Sequence, residues 1–224
     1  MGTSNTQLRV MLVDSNLLFR AGIARLIESQ PDMVVVGECD TCKEALHMVA
    51  DIQPDVMLLE VETRECDGFS LLKLIKQQWP DVHLIVLTTD INPNGLLGAL
   101  LSGASGYLQK TISPDELFAR LRGLYAGEAA MSLTTVTMLI NRLNSSNCSL
   151  CLRAVPNPNL TPRESDILKF VARGLTNRNI GAALQISEHT VRNHLCSVYD
   201  KLNLKNRLQV AVYSVTHGLV NLDE

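Results

Sequence analysis

The 224-residue sequence contains no apolar run that approaches the roughly 18 residues a membrane-spanning helix requires. Its first ten residues also lack a basic segment followed by an apolar one, so no secretory signal is predicted. No motif pairs a nucleophile with a base, and the five histidines show no ligand spacing. These absences lead us to expect a soluble, cytoplasmic protein that is not an enzyme and does not bind membranes.

The net charge of −3 is unevenly distributed along the chain. Residues 1–130 carry 10 basic and 17 acidic side chains, whereas residues 131–224 carry 10 basic and 6 acidic ones. An acidic first half and a basic second half indicate two domains with different partners. The basic half is the candidate for binding nucleic acid.

Short apolar runs alternate with segments of helical periodicity in the first half. The runs are continuous, as in strands that are buried on both faces of a parallel sheet. Strands are predicted at 8–13, 33–36, 56–59, 84–87 and 106–108, and helices near 16–29, 42–51, 68–78, 94–102 and 114–126. This alternation predicts an α/β doubly wound domain, whose functional crevice lies at the carboxyl ends of its strands.

The second half has a different organisation. Residues 131–143 could form a further amphipathic helix, and residues 144–159 are rich in Asn, Ser and Pro, which is typical of a linker. Four helices with short turns are predicted after Leu160. The predicted domains are therefore an α/β domain over 7–127, a linker helix and linker over 128–159, and an all-α domain over 160–220.

Two helices of the all-α domain are joined by a tight turn, and the second of them exposes basic and amide groups. This arrangement is typical of a helix-turn-helix. Capping signals mark helix starts at Thr161 and Ser187. The side chains expected to pack inward are Ile180, Leu184, Val191 and Leu195.

The run LTPRE…VARGLTNRNIGAALQISEHTVRNHLCSVYDKLNLKNRLQVAVY resembles the helix-turn-helix of LuxR/NarL/FixJ-type transcription factors. The resemblance implies double-stranded DNA as partner, with Arg192, Asn193 and Cys196 facing the major groove. Arg can pair with guanine and Asn with adenine, so Arg192 and Asn193 are the predicted base-reading residues. The predicted phosphate contacts are Thr161, Arg178, Thr190, His194, Lys201, Lys205 and Arg207. The last helix, predicted over 206–220, can pair two copies in this family, so a homodimer is expected.

The order of elements in the first half, with Val13-Asp14, Leu87-Thr88 and the segment Gly103–Lys110, resembles a response-regulator receiver domain. In working receivers two adjacent acids and an acceptor Asp hold Mg²⁺. The acceptor attacks a phosphoryl group, and a Lys and a Thr bind the new phosphate.

This sequence departs from the receiver pattern at the atoms that carry the chemistry. The acidic pair is Asp14-Ser15, the acceptor position is Glu60, Arg64 replaces a customary Pro, and Glu62 lies where a backbone carbonyl would ligate the metal. Mg²⁺ binding is therefore expected to be weak or absent, with no cofactor. The predicted degenerate phospho-acceptor pocket comprises Asp14, Ser15, Glu60, Thr88, Tyr107 and Lys110.

Three interpretations of Glu60 stay open at this point. Its longer side chain could reach Lys110 and Thr88 and act as a fixed mimic of the phosphorylated state. Alternatively, Lys110 or Arg64 neutralises Glu60 in a pocket that switches nothing. The crevice could also take a small ligand or a protein. The protein as a whole is either an atypical regulator that binds DNA in a sequence-specific manner or an adaptor that acts through receiver-mediated protein interaction.

The cysteines include two C-x-x-C pairs, Cys39/Cys42 and Cys148/Cys151. Such pairs are found in metal sites and in redox-active proteins. Because cytosolic thiols are normally reduced, inert thiols are the expectation, with a redox role for either pair left open.

Overall fold

The computed structural model describes residues 7–61, 67–125, 130–131, 135, 138, 160–173, 175–204, 206–216 and 219. The chain divides into two compact units, residues 1–121 and 122–224. The boundary predicted from the sequence for the first domain is residue 127 instead. Most of the predicted linker over 128–159 lies outside the described residues, so the predicted domain boundaries stay a prediction. Among the described helices, none is long and apolar enough to cross a membrane.

A parallel sheet forms the centre of the first unit. Its strands are β1 (Leu8–Val13), β2 (Met33–Cys39), β3 (Val56–Leu59), β4 (His83–Thr88) and β5 (Gly106–Gln109). The helices that follow them are α1 (Leu17–Glu28), α2 (Cys42–Ile52), α3 (Gly68–Gln78), α4 (Pro93–Leu101) and α5 (Pro114–Tyr125). The strands lie in the order β2-β1-β3-β4-β5, and each neighbouring pair is parallel. The predicted α/β doubly wound fold is confirmed.

Burial explains why these apolar runs become strands. All four residues of β3 are at most 1 % exposed, as expected for a strand covered on both faces. The end of β2 predicted from the sequence is three residues too early, because the apolar run stops at Val36. The strand continues because Gly37 and Glu38 still pair with Met11 and Leu12 of β1. Backbone pairing, which needs no apolar side chain, sets the end of this strand.

Four helices define the second unit in the part of the chain that the structure describes: α6 (Pro162–Ala172), α7 (Asn177–Leu184), α8 (Glu188–Leu202) and α9 (Arg207–Thr216). The predicted all-α domain is confirmed. A two-residue strand, β6 (Ala130–Met131), was not predicted, so Met131 does not belong to the helix expected over 131–143, whereas Thr135 and Met138 within that range are helical. Most of that segment lies outside the described residues.

The helices of the second unit share one apolar core. Ile180, Val191 and Leu195 are at most 2 % exposed, which confirms their predicted inward packing, and Leu184 packs against the same core. Gln185 ends α7 with a positive φ of 56° and so turns the chain towards α8. The turn places α7 and α8 side by side, as a helix-turn-helix requires.

Candidate functional site

Carboxyl ends of neighbouring strands bring the predicted receiver residues together. Asp14 and Ser15 follow β1, Glu60 follows β3, and Lys110 follows β5. Thr88 is the last residue of β4, between the ends of β3 and β5. Because the strands are parallel, these ends meet at one edge of the sheet, which is where a doubly wound fold binds ligands.

Lys110 is the centre of this pocket. Its ammonium nitrogen lies 2.6 Å from Glu60 Oε1 and 2.7 Å from Asp14 Oδ2, so one cation pairs with two carboxylates. The three side chains are 13 %, 14 % and 6 % exposed, respectively, so this ion triplet is largely shielded from water. The ammonium also lies 4.7 Å from the centre of the Phe19 ring, within the range of a cation–π interaction.

The surroundings of Lys110 favour its charged form. Burial by itself would lower the pKa of the ammonium, but hydrogen bonds to Asp14 and Glu60 outweigh that effect and raise the pKa above its ordinary value. Lys110 therefore keeps its positive charge across the physiological pH range. The pocket therefore contains a permanent cation between two carboxylates.

Three of the four carboxylate oxygens of the pocket accept hydrogen bonds, and the fourth, Asp14 Oδ2, lies at ion-pair distance from Lys110. Glu60 Oε1 accepts from Lys110, and Glu60 Oε2 accepts from the hydroxyl of Ser15 at 3.0 Å. Asp14 Oδ1 accepts from the backbone N–H of Asn16 at 2.9 Å, while Asp14 Oδ2 faces Lys110. A metal ion would have to displace these internal partners before it could use the same oxygens.

Thr88 and Tyr107 take other positions. Both side chains are only 2 % exposed, and the Thr88 hydroxyl donates to the backbone carbonyl of Asp90 at 2.9 Å. Tyr107 is directed towards α4, where its hydroxyl lies 2.9 Å from the point a Cβ on Gly95 would occupy. Thr88 has a single O–H donor, so it does not donate to Glu60 in this arrangement.

Sequence reasoning missed three residues that organise the pocket. Asn16 caps α1 by accepting from the N–H of Phe19, and so places that ring beside Lys110. Arg20 donates to the backbone carbonyl of Asp14. The capping signal of Asn16 was readable in the sequence, whereas the contacts of Phe19 and Arg20 depend on how α1 packs against the sheet.

The second candidate site is the outer face of α8. Arg192, Asn193 and Cys196 are exposed, as expected for residues that face a groove, and the Cys196 thiol is free. Arg192 forms an ion pair with Glu188 one turn earlier, at 3.9 Å. The buried side chains of α8 lie on the opposite face, so the helix is amphipathic in the sense that DNA recognition requires.

The predicted phosphate contacts fall into two groups. Thr161 and Arg178 are exposed, and Thr190 and His194 are half-buried, so all four remain available to DNA. Thr161 also forms a capping box with Glu164, as its sequence signal indicated. Lys205 lies outside the described residues, and its phosphate contact stays a prediction.

Two cations of the predicted phosphate set make internal contacts instead. Lys201 lies 2.7 Å from the buried carboxylate of Glu164. Arg207 is 9 % exposed, donates to Asn177 Oδ1 at 2.7 Å and to the backbone carbonyl of Leu175, and is directed into the protein. The phosphate roles of Lys201 and Arg207 stay predictions, but both cations have partners within the domain: Lys201 pairs with a carboxylate, and Arg207 donates to neutral acceptors.

Comparison with known proteins identifies both domains. The family model of the response regulator receiver domain matches residues 10–122, and that of the bacterial regulatory proteins of the luxR family matches residues 158–214. The chain is 33 % identical over 214 residues to the transcriptional regulatory protein LiaR of Bacillus subtilis, covering 96 % of this chain and 100 % of LiaR.

This chain is a response regulator of the NarL/FixJ family. It is 32 % identical over 204 residues to the nitrate/nitrite response regulator NarL of Escherichia coli K12, covering 91 % of this chain and 93 % of NarL. The crystal structure of the response regulator ChrA, from a heme-sensing two-component system, matches with a TM-score of 0.51 and 28 % identity, over 96 % of this chain and 99 % of ChrA. The protein is thus a DNA-binding transcriptional response regulator with a LuxR-type helix-turn-helix.

The cysteines of this regulator differ in state. Cys39 is free and buried, and burial raises the pKa of its thiol to about 12, so it stays protonated and unreactive at neutral pH. Cys42 is disulfide-bonded, so the expectation of an inert thiol is wrong for Cys42. Cys148 and Cys151 lie outside the described residues, and their predicted role is untested.

Proposed function

We propose that this response regulator binds DNA in a sequence-specific manner without being switched by phosphorylation of residue 60. The observation that carries the proposal is the triplet of Lys110, Glu60 and Asp14, which occupies the place of the phosphoryl group and its metal. In this triplet Lys110 already pairs with two carboxylates, and the negative charge that remains repels a new anion. The only cation of the triplet is therefore already engaged.

The chemistry of phosphoryl transfer supports the same conclusion. A receiver phosphorylates itself because several carboxylates bring Mg²⁺ and the phosphoryl group together at one nucleophilic oxygen. Ser15 removes one of these carboxylates, and its hydroxyl instead donates to Glu60. The additional methylene of Glu60 displaces the nucleophile by about a bond length, and such reactions tolerate little misplacement. The residues present do not fit a Mg²⁺ site of working strength.

The test is the intact mass of the full-length protein after incubation with acetyl phosphate and Mg²⁺. We expect no gain of a phosphoryl group in the wild type. The double variant Ser15→Asp, Glu60→Asp supplies the missing carboxylate and the shorter acceptor side chain, and serves as the matched control for the reagents. A phosphoryl gain in the wild type that disappears in Glu60→Gln would refute the proposal.

The position of Thr88 bears on the choice between a mimic and a neutralised pocket. A mimic of the phosphorylated state should engage both Lys110 and Thr88, but the Thr88 hydroxyl donates to the carbonyl of Asp90. The neutralised pocket is therefore favoured. It predicts that Glu60→Gln changes DNA affinity by less than about threefold, which is under 1 kcal/mol. A larger loss, together with weaker dimerisation, would identify Glu60 as a mimic.

DNA reading is assigned to the exposed face of α8, with Arg192 and Asn193 as base-reading residues. A single recognition helix contacts too few base pairs for useful specificity, so we propose a homodimer on a two-fold related site. Arg192→Ala should cost about 1–3 kcal/mol and relax the preference at one base pair. Equal losses on a selected site and on random DNA would argue against this role of Arg192. We further propose that the protein acts in the cytoplasm and has no enzymatic activity.

A further inference from the structure

A buried acid connects two helices of the DNA-binding unit. Glu164 lies in the first turn of α6, and its side chain is 4 % exposed. Its Oε2 accepts from the backbone N–H of Thr161 at 2.7 Å, which closes the capping box. A capping box requires only this contact, so the other contacts of Glu164 need a separate explanation.

The other contacts of the Glu164 side chain come from α8. Ser197 Oγ donates to Glu164 Oε1 at 2.7 Å, and Lys201 Nζ lies 2.9 Å from Oε1 and 2.7 Å from Oε2. Ser197 and Lys201 are four residues apart and therefore lie one above the other on the same side of the helix. The carboxylate of α6 thus holds two successive turns of α8.

The charge of Glu164 persists across a wide pH range. Burial alone would raise the pKa of its carboxyl, but hydrogen bonds from Lys201, Thr161 and Ser197 outweigh burial and lower the pKa to about 2. The interaction is therefore an ion pair at neutral pH. A charge-assisted hydrogen bond of this kind is also more directional than apolar contact.

Direction matters because of where the contacts lie on α8. At about 100° per residue, Ser197 and Lys201 lie roughly 140–180° around the helix from Arg192 and roughly 40–80° from Asn193. The buried apolar face of α8 lies between the side with Ser197 and Lys201 and the side with Arg192. Apolar packing is non-directional and so permits a small rotation of a helix about its own axis. Two hydrogen-bonded turns on one side restrict that rotation.

We propose that Glu164 is a positioning residue for sequence reading: by holding Ser197 and Lys201 it fixes the rotation of α8 and hence the direction in which Arg192 and Asn193 face the bases. This inference rests on the proposed function, since it requires that the outer face of α8 reads sequence. It also gives Lys201 a role different from the one its charge suggests. Lys201 pairs with Glu164 and does not contact phosphate.

The two roles of Lys201 predict opposite results. Loss of a phosphate contact weakens binding to every DNA sequence and reduces the slope of log Kobs against log salt concentration by about 0.9. Loss of a positioning contact weakens binding to the preferred sequence only and leaves the slope unchanged. The ratio of specific to non-specific affinity therefore separates them.

The experiment uses the full-length protein and two DNA duplexes of equal length. One duplex is selected by the wild type from a random library, and the other is a scrambled version of it. Lys201→Met and Glu164→Gln should each lower the ratio of the two affinities about tenfold, as expected when a charged hydrogen bond is lost, with an unchanged salt slope. Lys201→Arg should retain most of the ratio, because an arginine can still pair with Glu164.

Asp166→Asn is the matched control for the acid, since Asp166 lies on the same helix in an exposed ion pair with Lys169. It should leave the ratio unchanged. Lys201→Met tests the proposal even if Glu164→Gln fails to fold. The inference is overturned if Lys201→Met lowers both affinities equally with a smaller salt slope, or if it leaves the ratio intact. A wild type that selects no sequence would instead refute the proposed function.

Discussion

Removing the shared cation of the receiver pocket should destabilise the first unit strongly. In Lys110→Met the stem of the side chain is retained, but Glu60 and Asp14 lose their common partner at 2.6 and 2.7 Å. Breaking a buried ion pair by deleting one member costs about 3–5 kcal/mol, because the remaining charge stays buried without compensation. Since the three side chains are still 6–14 % exposed to water, we expect a loss near the lower limit, about 3 kcal/mol.

The chain offers a probe that reports on this unit alone. Its only tryptophan is Trp79, which ends α3 in the first unit. Urea unfolding of the full-length protein, followed by tryptophan fluorescence, therefore measures the stability of the receiver. With a urea dependence of about 2 kcal/mol per M, a loss of about 3 kcal/mol lowers the midpoint by about 1.5 M.

Lys73→Met is the matched control, because Lys73 is an exposed lysine on α3 of the same unit. It should change the stability by no more than about 0.5 kcal/mol. If Lys110→Met costs less than about 1 kcal/mol, or no more than the control, the triplet does not neutralise the pocket and our reasoning about Glu60 fails.

Two further predictions concern the DNA-binding unit. Gly181→Ala should disrupt the helix-turn-helix, because a Cβ at this position would lie 2.7 Å from the backbone carbonyl oxygen of Ile186. The expected result is loss of DNA binding with the fluorescence of Trp79 unchanged. Glu164 has its pKa lowered from 4.5 to about 2, so its stabilising contribution of about 3 kcal/mol is present above pH 4.5 and is lost as the pH falls towards 2. The difference in unfolding free energy between wild type and Glu164→Gln, followed by circular dichroism, should shrink over that range; a difference that is independent of pH would contradict the assignment.

The sequence was sufficient for the elements of the fold because local physics sets them. Strands covered on both faces appear as continuous apolar runs, and helix starts carry their capping residues, such as Thr161 and Ser187. Substitutions at the acceptor position are equally local. Glu60 and Ser15 were readable as departures from the receiver pattern without any coordinates.

The partners of charged side chains were decided only by the tertiary structure. Lys201 and Arg207 carry the positive charge typical of phosphate contacts. In the structure, however, Lys201 pairs with Glu164, and Arg207 donates to Asn177 across the domain. These partners are more than 25 residues away in sequence, and no local pattern encodes which cation faces solvent. The sequence determined which residues are charged and which helix they occupy. Only the packing of the helices decided whether a charge faces DNA or is paired within the protein, because burial makes an unpaired charge costly.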